Sequence, residues 1–522
     1  MAICTRHSFL HIYKPVLLLA LEEYFRAPHV QTLADLYTAV NSMNVDHIPT
    51  LSPWEQLILL MSDNKDMFRE RSYIQPLHRN DLTDDRATLF PIGGQTTPVN
   101  DIFPKDTHEY ETKVVYNGIN VPIRVPVATA PGVVGDCSVI TLINTFSKAH
   151  LANPLPFPYH PYLTSSGPST HPIIVLLNAL LTEQRVMFLG HGLPSGVVAN
   201  HVLAACALAS GCTGLLRGFT ERTFPYTDLS KVDSLLCLPG FIAGVTNPTF
   251  ENHPSWWDVL CNIETGRIKI SPEIEMPTQL DKMNRYFPNG TPSSDLLRMD
   301  TLDNAFMDEI YTMIQSHSGE SAVRARWRDW ILRFIQMASA YEELAYGSSA
   351  VLHTDTTNFV IPGQGWVWSD DNTKLRDLTV NMMRFEGWKK TASYRFRILD
   401  TVALCKRPIS VCDVDHHFER LRRLKEIPAS EVSQFFFTLR DNVTEIEQLN
   451  ELLCSLPQHK GGLSPLALGL FHPDFNVRQA VVDILERLER HIAGRHFINA
   501  MNRFQKLALI RLKQEKGPPI VG

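Results

Sequence analysis

Residues 182–210 read TEQRVMFLGHGLPSGVVANHVLAACALAS, and this stretch decides the fold that we expect. Arg185 to Leu189 is a short apolar run led by a charge, which is typical of a buried strand. Gly190-His191-Gly192 is a turn signal, and from Ser195 onward apolar residues recur at helical intervals. A buried strand, a tight turn and a helix together predict an α/β layer in the middle of the chain.

The glycines of this turn fit two different kinds of protein. A Gly-x-Gly-x-x-x-Gly pattern between a strand and a helix resembles a dinucleotide site, which usually has an acidic residue about 20 positions further on. Here the first acidic residue is Glu221, after a glycine-broken segment, and Pro194 lies inside the loop. We therefore expect a close-packed turn without a cofactor, in which Gly192 and Gly196 are needed for folding. A nucleotide-dependent enzyme at this turn is the weaker alternative.

The composition limits the other classes of function. The chain has 522 residues, and its formal net charge of −6 gives no general attraction to nucleic acid. Nine cysteines without a Cys-x-x-Cys pair indicate reduced thiols in the cytosol. No apolar run approaches the roughly 18 to 20 residues of a membrane span, and the apolar N-terminal run predicts an amphipathic helix rather than a signal peptide.

The N-terminal part predicts helices first and strands later. Helices are expected at Lys14 to Phe25 and at Thr32 to Asn41, with no strands before them, so we expect a preceding sheet to be missing from this chain. Periodicity is poor from 44 to 107. Two arms rich in Val, Ile, Thr and Tyr then flank Asn117-Gly118, which predicts a hairpin whose second arm, with Pro122 and Pro126, is an edge strand.

The middle and the end of the chain differ in their patterns. Ser234 to Leu238 and Phe241 to Val245 are predicted as buried strands, and Glu264-Thr265-Gly266 as the turn of a hairpin. After a proline-punctuated segment at 272–292, amphipathic helical patterns continue almost to the end, including one predicted helix from His496 to Lys513.

We predict no catalytic, cofactor or metal site from the sequence. Asp413, Asp415, His416 and His417 form the most metal-like cluster, but adjacent helical residues point in different directions and favour a capped helix start. Ser195 does not fit Gly-x-Ser-x-Gly and is predicted to be a helix N-cap.

The segment from Asn358 to Arg376 carries the candidate binding residues. Its aromatic side chains lie beside glycines, and aromatic residues on such loops serve either as interface anchors or as core plugs. We select Trp366, Trp368 and Arg376 as partner-binding residues. The arginines between Arg324 and Arg333 are expected to form a solvated face paired with carboxylates, rather than a groove for nucleic acid.

Several long strings of this sequence resemble those of DENN-domain proteins, more narrowly of the fungal Arf-interacting, polarity-axis-stabilising branch. They are ICTRHSFLHIYKPVLLLALEEYFRAPHVQTLADLYTAVNSMN from Ile3, LLTEQRVMFLGHGLPSGVVANHVLAACALASG from Leu180 and GFIAGVTNPTFENHPSWWDVLCNIETGRIKIS from Gly240. VRARWRDWILRFIQMASAYEE from Val323 and NFVIPGQGWVWSDDNT from Asn358 extend the resemblance over most of the chain.

The resemblance implies an α/β fold with a helical C-terminal part. It implies helices ending a truncated longin-like lobe at 1–45, a loop-rich insert with hairpin and connector at 46–170, a central α/β DENN core at 171–271 and a helical DENN part at 272–522. The upstream docking and longin-type region of the family is expected to be missing.

The implied function is regulation of small GTPases of the Rab or Arf family, as adaptor or guanine-nucleotide exchange factor, in vesicle trafficking and cell polarity. No cofactor, covalent chemistry or nucleic acid is implied. The expected location is the cytoplasm, with recruitment to the cell cortex or vesicle membranes through partners. A helical scaffold without exchange activity is the alternative from another class.

Overall fold

The structure is a computed structural model that describes residues 3–5, 7, 9–45, 48, 51–62, 67–68, 109–126, 137–277, 301–352, 359–404, 408–409, 411–424 and 427–515. The α-helices are α1 Lys14–Arg26, α2 Gln31–Asn41, α3 Pro53–Met61, α4 Val139–Ala152, α5 Pro172–Leu181, α6 Ser195–Ala209, α7 Val232–Leu236, α8 Asp303–Gln315, α9 Glu320–Tyr346, α10 Asp371–Lys389, α11 Ala392–Leu404, α12 Val414–Arg423, α13 Ala429–Asn442, α14 Ile446–Cys454, α15 Ser464–Ala467, α16 Phe475–Arg490, α17 Ile492–Asn499 and α18 Arg503–Glu515. The strands are β1 Glu109–Tyr116, β2 Ile119–Pro126, β3 Val186–Leu189, β4 Thr223–Phe224, β5 Ile242–Val245, β6 Val259–Asn262 and β7 Arg267–Ile270.

The chain divides into two compact units, Met1–Val134 with Val443–Gly522 and Gly135–Asn442. The four-segment organisation expected from the sequence stays a prediction. Much of the loop-rich insert expected at 46–170, and of the proline-punctuated segment at 272–292, lies outside the described residues. In the part of the chain that the structure describes, no helix is long and apolar enough to span a membrane.

In the first unit, α1 and α2 pack on the β1–β2 hairpin. The strands pair antiparallel, and the turn residues Asn117 and Gly118 have positive φ values of 47° and 78°, as a tight two-residue turn requires. Val114 and Val125 of the hairpin are buried in one core with Leu36 of α2. From the sequence alone, no packing partner could be predicted for α1 and α2. In the structure they pack on a hairpin that lies far downstream in the chain.

Two helix boundaries in the first unit differ from the sequence expectation. Helix α14, which was not predicted individually from the sequence, begins with a capping box, in which the side chain of Gln448 accepts from the N–H of Glu445 at 2.9 Å. The helix expected from His496 to Lys513 is divided into α17 and α18, because Asn502 and Gln505 exchange side-chain to backbone hydrogen bonds at 2.9 and 3.2 Å and start a new helix. Both starts carry a sequence signal that periodicity alone overlooks.

The second unit contains the predicted α/β layer, with a five-stranded sheet in the order β4-β5-β3-β6-β7. The central strand β3 is buried throughout and pairs in parallel with β5 and β6, whereas β7 pairs antiparallel with β6. Phe188 faces Phe146 of α4, with ring centroids 6.3 Å apart, while Met187 and Leu189 join a core on the other face with Leu235 of α7. The chain is therefore α/β, and the β6–β7 hairpin is found as predicted.

In the turn after β3, the glycine that packs closely against α6 is Gly190, not Gly192 or Gly196. A Cβ at Gly190 would lie 2.5 Å from Cγ2 of Val198, so α6 packs directly on this position. A Cβ at Gly192 or Gly196 would meet nothing within 4 Å. Close packing therefore does not require glycine at Gly192 or Gly196. The φ of 71° still favours glycine at Gly192, whereas nothing at Gly196 requires it.

Two further local predictions are wrong. Ser195 does not cap α6, because the N-cap is Pro194, without a side-chain cap hydrogen bond, and Ser195 is the first helical residue. The segment predicted as a strand at Ser234 to Leu238 belongs mostly to α7. Val232 and Leu235 are its buried residues, and their spacing of three follows a helical face.

A buried polar network joins the helices α8, α9 and α10 to α5, the helix before β3. Arg384 of α10 pairs with Asp303 of α8 at 2.8 Å, and both side chains are at most 4% exposed. The same guanidinium donates to Oδ1 of Asn178 on α5 at 3.1 Å, and Trp330 of α9 donates to Asp303 at 3.2 Å. One ion pair thus links four helices of the second unit.

Candidate partner-binding face

The loop at 359–369 turns at Gly363 and Gly365, whose φ values are 124° and 79°. Ile361 and Val367 are buried, whereas Trp366 and Trp368 are half-buried. Trp366 and Trp368, the two tryptophans selected from the sequence, therefore flank a buried residue and remain partly accessible.

The loop is fixed to the start of α12. The N–H of Gly365 donates to Oδ2 of Asp413 at 3.1 Å, and Nδ1 of His416 lies 2.9 Å from the carbonyl oxygen of Gly365. A Cβ at Gly363 would lie 2.7 Å from Nε2 of His416, so the backbone approaches the imidazole closely. Asp413 also accepts from the N–H of His416 and caps α12, which confirms the predicted capped helix start.

Trp366 lies against two guanidinium groups. The guanidinium carbon of Arg423 is 4.2 Å from the ring centroid and that of Arg333 is 5.1 Å from it. Distances below about 6 Å are attractive for a cation over an aromatic face. The indole is therefore held in place by cations from α9 and α12, and its remaining surface is accessible.

Trp368 and Arg376 are brought together through a carboxylate. Nε1 of Trp368 donates to Oδ2 of Asp377 at 3.2 Å, and Arg376 lies 3.4 Å from Oδ1 of the same residue. Lys374 lies over the Trp368 ring at 5.7 Å. Arg376 is half exposed, so its charge faces solvent. We call the set of residues Trp366, Trp368, Lys374, Arg376 and Arg423 the tryptophan face.

Charges of both signs surround Arg333 beneath the tryptophan face. Burial lowers the pKa of Arg333, the carboxylates of Asp303 and Asp377 oppose this effect, and smaller contributions from Arg423 and Arg384 add to it. Nε of Arg333 has no hydrogen-bond partner within the described part of the chain. The tryptophan face therefore combines aromatic rings with charges of both signs, since Arg376 pairs with Asp377 and Arg423 with Glu419.

The arginine-rich helix α9 is only partly the solvated face that the sequence predicts. Arg326 pairs with Glu309 at 2.6 Å and with Asp329 at 3.1 Å, as expected. Arg324, in contrast, is buried and pairs with Glu320 at 2.9 Å. These arginines stabilise the second unit rather than line a groove.

Other candidate chemistry does not converge on a site in the described ranges. Among these residues no group of three or more His, Cys, Asp or Glu side chains could hold a metal ion. An open groove of about 470 Å³ lies between α4 and the β6–β7 turn, lined in part by Asn144, Lys148, Glu264 and Thr265.

The sequence missed the cations that support the tryptophans. Arg333 and Arg423 come from helices far apart in the chain, so no local pattern joins them to Trp366. Lys374 and Asp377 are on α10 within three residues of Arg376, and their helical spacing was an available signal.

The fold defines a protein with a five-stranded α/β core followed by a series of helices. Residues 159–272, which include the whole β3–β7 sheet, match the family described as stabilization of polarity axis. The chain is 32% identical over 516 residues to the AFI1-like protein C776.06c of Schizosaccharomyces pombe, covering 96% of this chain and 80% of the relative. The chain belongs to this AFI1-like family. No solved structure matches it.

Proposed function

We propose that this protein is a DENN-type regulator of cell polarity that binds a small GTPase of the Arf family. The name of the AFI1-like relative and the polarity-axis match over 159–272 support the biological role. The single structural observation that supports a binding role is the tryptophan face, with its half-buried tryptophans and exposed Arg376. Trp366, Trp368 and Arg376 are the residues proposed to contact the partner.

The chemistry of the tryptophan face suits such a contact. Tryptophan and arginine are the residues most enriched among those that dominate binding energy at interfaces, and truncating one of them often costs about 2 kcal/mol or more. The rings are already fixed by neighbouring cations, so little conformational entropy is lost when a partner covers them. A partner with carboxylates around an apolar centre would satisfy Arg376 and Lys374.

The protein would act either as an adaptor or as an exchange factor. An adaptor binds one nucleotide state of the GTPase and is recruited with it from the cytoplasm to the cell cortex or to vesicle membranes. An exchange factor binds the nucleotide-free state more tightly than the loaded state and so accelerates nucleotide release, because a ligand shifts an equilibrium only by its differential affinity. Neither activity requires a cofactor.

The test is a binding panel with the full chain. Arf-family and Rab-family GTPases are immobilised with GDP, with a GTP analogue or without nucleotide, and the affinity of each is measured. Trp368→Ala and Arg376→Glu should each weaken binding to the preferred GTPase. Trp256→Ala, at a half-buried tryptophan stacked on His253 at 4.2 Å, and Arg395→Glu, at an exposed arginine of α11, are the matched controls.

Release of a fluorescent guanine nucleotide in the same panel separates the two activities. Accelerated release by the full chain supports exchange, and binding without release supports an adaptor. No binding to any GTPase in any nucleotide state would contradict the proposal and favour a helical scaffold. A preference for Rab over Arf proteins would contradict the choice of partner family.

A further inference from the structure

Among the described residues, no strand pairs with the outer edge of β1. Lys113 lies opposite Pro122, which has no N–H, so this pair is not hydrogen-bonded across the hairpin. The N–H and C=O of Lys113 therefore point away from β2, and by alternation those of Glu111 and Val115 do the same. Within the described ranges, no hydrogen-bond partner for these outward groups is found.

The edge of β2 is protected, in contrast to that of β1. Pro122 removes a donor from its outer side, and Nε2 of His11 lies 2.8 Å from the carbonyl oxygen of Arg124. β1 contains no proline or bulge. A long strand edge with unpaired backbone groups is a template for pairing with another strand.

We propose that two copies of this chain pair through β1, antiparallel, to form a continuous four-stranded sheet. The register places Thr112 opposite Thr112 of the second copy. Glu111 then lies opposite Lys113 of the second copy, and Lys113 opposite Glu111 of the second copy. Both residues have outward-pointing backbone groups, so this register allows the hydrogen bonds of an antiparallel ladder.

Charge selects this partner and this register. An exposed lysine at the middle of an edge strand normally opposes pairing, because its ammonium group would be placed against the incoming strand. Lys113 has no carboxylate partner in the described part of the chain, whereas Glu111 is 3.0 Å from Arg124 across the hairpin. In the proposed dimer each lysine gains a glutamate, and opposite charges in direct cross-strand contact stabilise a sheet.

The helix above β1 supports the same partner. α2 packs over β1 and exposes Leu33 and Tyr37, which are four residues apart, with 47% and 73% of their surfaces accessible. A twofold axis perpendicular to the sheet at Thr112 puts both copies of α2 on the same side of the four-stranded sheet. The apolar side chains on α2 therefore lie in the layer that dimerisation would extend.

The experiment measures the mass of the full chain by analytical ultracentrifugation over a wide range of concentration. The unaltered chain should form dimers. Glu111→Lys and Lys113→Glu should each lose the dimer, because each places like charges opposite each other. An equimolar mixture of the two variants should regain it as a heterodimer, since one chain then carries two lysines and the other two glutamates at the facing positions.

Two controls show whether a loss of dimer is specific. Lys148→Glu changes the charge equally at an exposed lysine of the second unit and should leave the dimer intact. At a concentration low enough for the parent chain to be monomeric, circular dichroism should show the same melting temperature for every variant, since both edge positions are exposed. A monomeric parent chain, variants that still dimerise, or a mixture that stays monomeric would overturn the proposal.

A cross-linking measurement tests the register independently. Directly opposed residues at a non-hydrogen-bonded antiparallel position have Cα atoms about 4.5 Å apart, within the range that a disulfide spans. Thr112→Cys should therefore give an intermolecular disulfide under mild oxidation that the parent chain, with its own exposed Cys4 and Cys237, does not form. Equal cross-linking of the parent and of Thr112→Cys would overturn the register.

Discussion

Gly190 has no room for a β carbon, because α6 crosses this position with the side chain of Val198. The methyl carbon Cγ2 of Val198 would be 2.5 Å from a Cβ there, in a region where both neighbouring strands are buried. Gly196, six residues later, is exposed in the first turn of the same helix with open space around it. Two glycines of one motif thus have opposite roles.

We expect Gly190→Ala to lower the free energy of unfolding by about 1 to 3 kcal/mol, the usual cost of overpacking. Gly196→Ala should leave it unchanged or raise it by up to about 1 kcal/mol, because alanine is the better helix former. Thermal unfolding followed by circular dichroism compares the two. Equal losses of stability would contradict this assignment.

Glu320, the first residue of α9, caps the N-terminus of another helix, α4. Its carboxylate accepts the N–H groups of Val139 and Ile140 at the start of α4, at 2.7 and 3.3 Å, and the hydroxyl of Ser138 at 2.9 Å. Glu320→Gln should lower the free energy of unfolding by about 1 to 2 kcal/mol, since charge-assisted bonds to a helix start are lost. Asp308→Asn, on the neighbouring α8, serves as the control. Equal melting temperatures for both variants would refute the capping role.

At the scale of elements, local signals predicted well where they were strong. Asn117-Gly118 strongly favours a tight two-residue turn with positive φ at both residues, so the hairpin could be predicted from the sequence. Val186 to Leu189 is uniformly apolar and became the central strand. Ser234 to Leu238 was wrongly predicted as a strand, because a short apolar run does not show whether its period is that of a strand or of a helix. The packing of Val232 and Leu235 on the sheet identifies the segment as helical.

The helix α12 carries a buried histidine that makes stability depend on pH. Burial, and then His416 and Arg420, lower the pKa of His417 to about 4. Below the unfolded pKa of about 6.5 the unfolded chain binds a proton that the folded chain does not, so stability falls by about 1.4 kcal/mol per pH unit between about pH 6.5 and 4. Above pH 6.5 this contribution is fully present.

Denaturant unfolding at pH 7.0 and 5.5 measures this effect. His417→Gln, which cannot take up the proton, should lose less stability on acidification than the parent chain does. His191→Gln, at an exposed histidine, should behave like the parent. If acidification destabilises the parent and His417→Gln equally, His417 is not the titrating group.

At the scale of the molecule, the buried pair Asp303–Arg384 should govern the stability of the second unit. Removing one partner leaves a buried charge without compensation, which costs about 3 to 5 kcal/mol. Arg384→Met alone should therefore be strongly destabilising, and Asp303→Asn in the same chain should recover part of the loss. Unfolding midpoints of the two single variants and the double variant test this coupling. Additive losses would contradict it.

The tryptophan face could be predicted only in part. Trp366, Trp368 and Arg376 were selected as aromatic and charged residues of a glycine-rich segment, and the structure places Trp368 and Arg376 around Asp377. The cations on Trp366 come from α9 and α12, and their approach depends on how the helices of the second unit pack. The spacing of residues in the sequence does not indicate such a contact, so the positions of Arg333 and Arg423 against Trp366 were known only from the structure.

The affinity of the full chain for an Arf-family GTPase tests the central claim most directly. We expect saturable binding in one nucleotide state, with Kd raised about tenfold or more by Trp368→Ala and unchanged by Trp256→Ala. Binding that is absent in every nucleotide state, or that Trp368→Ala and Trp256→Ala weaken equally, would contradict the account.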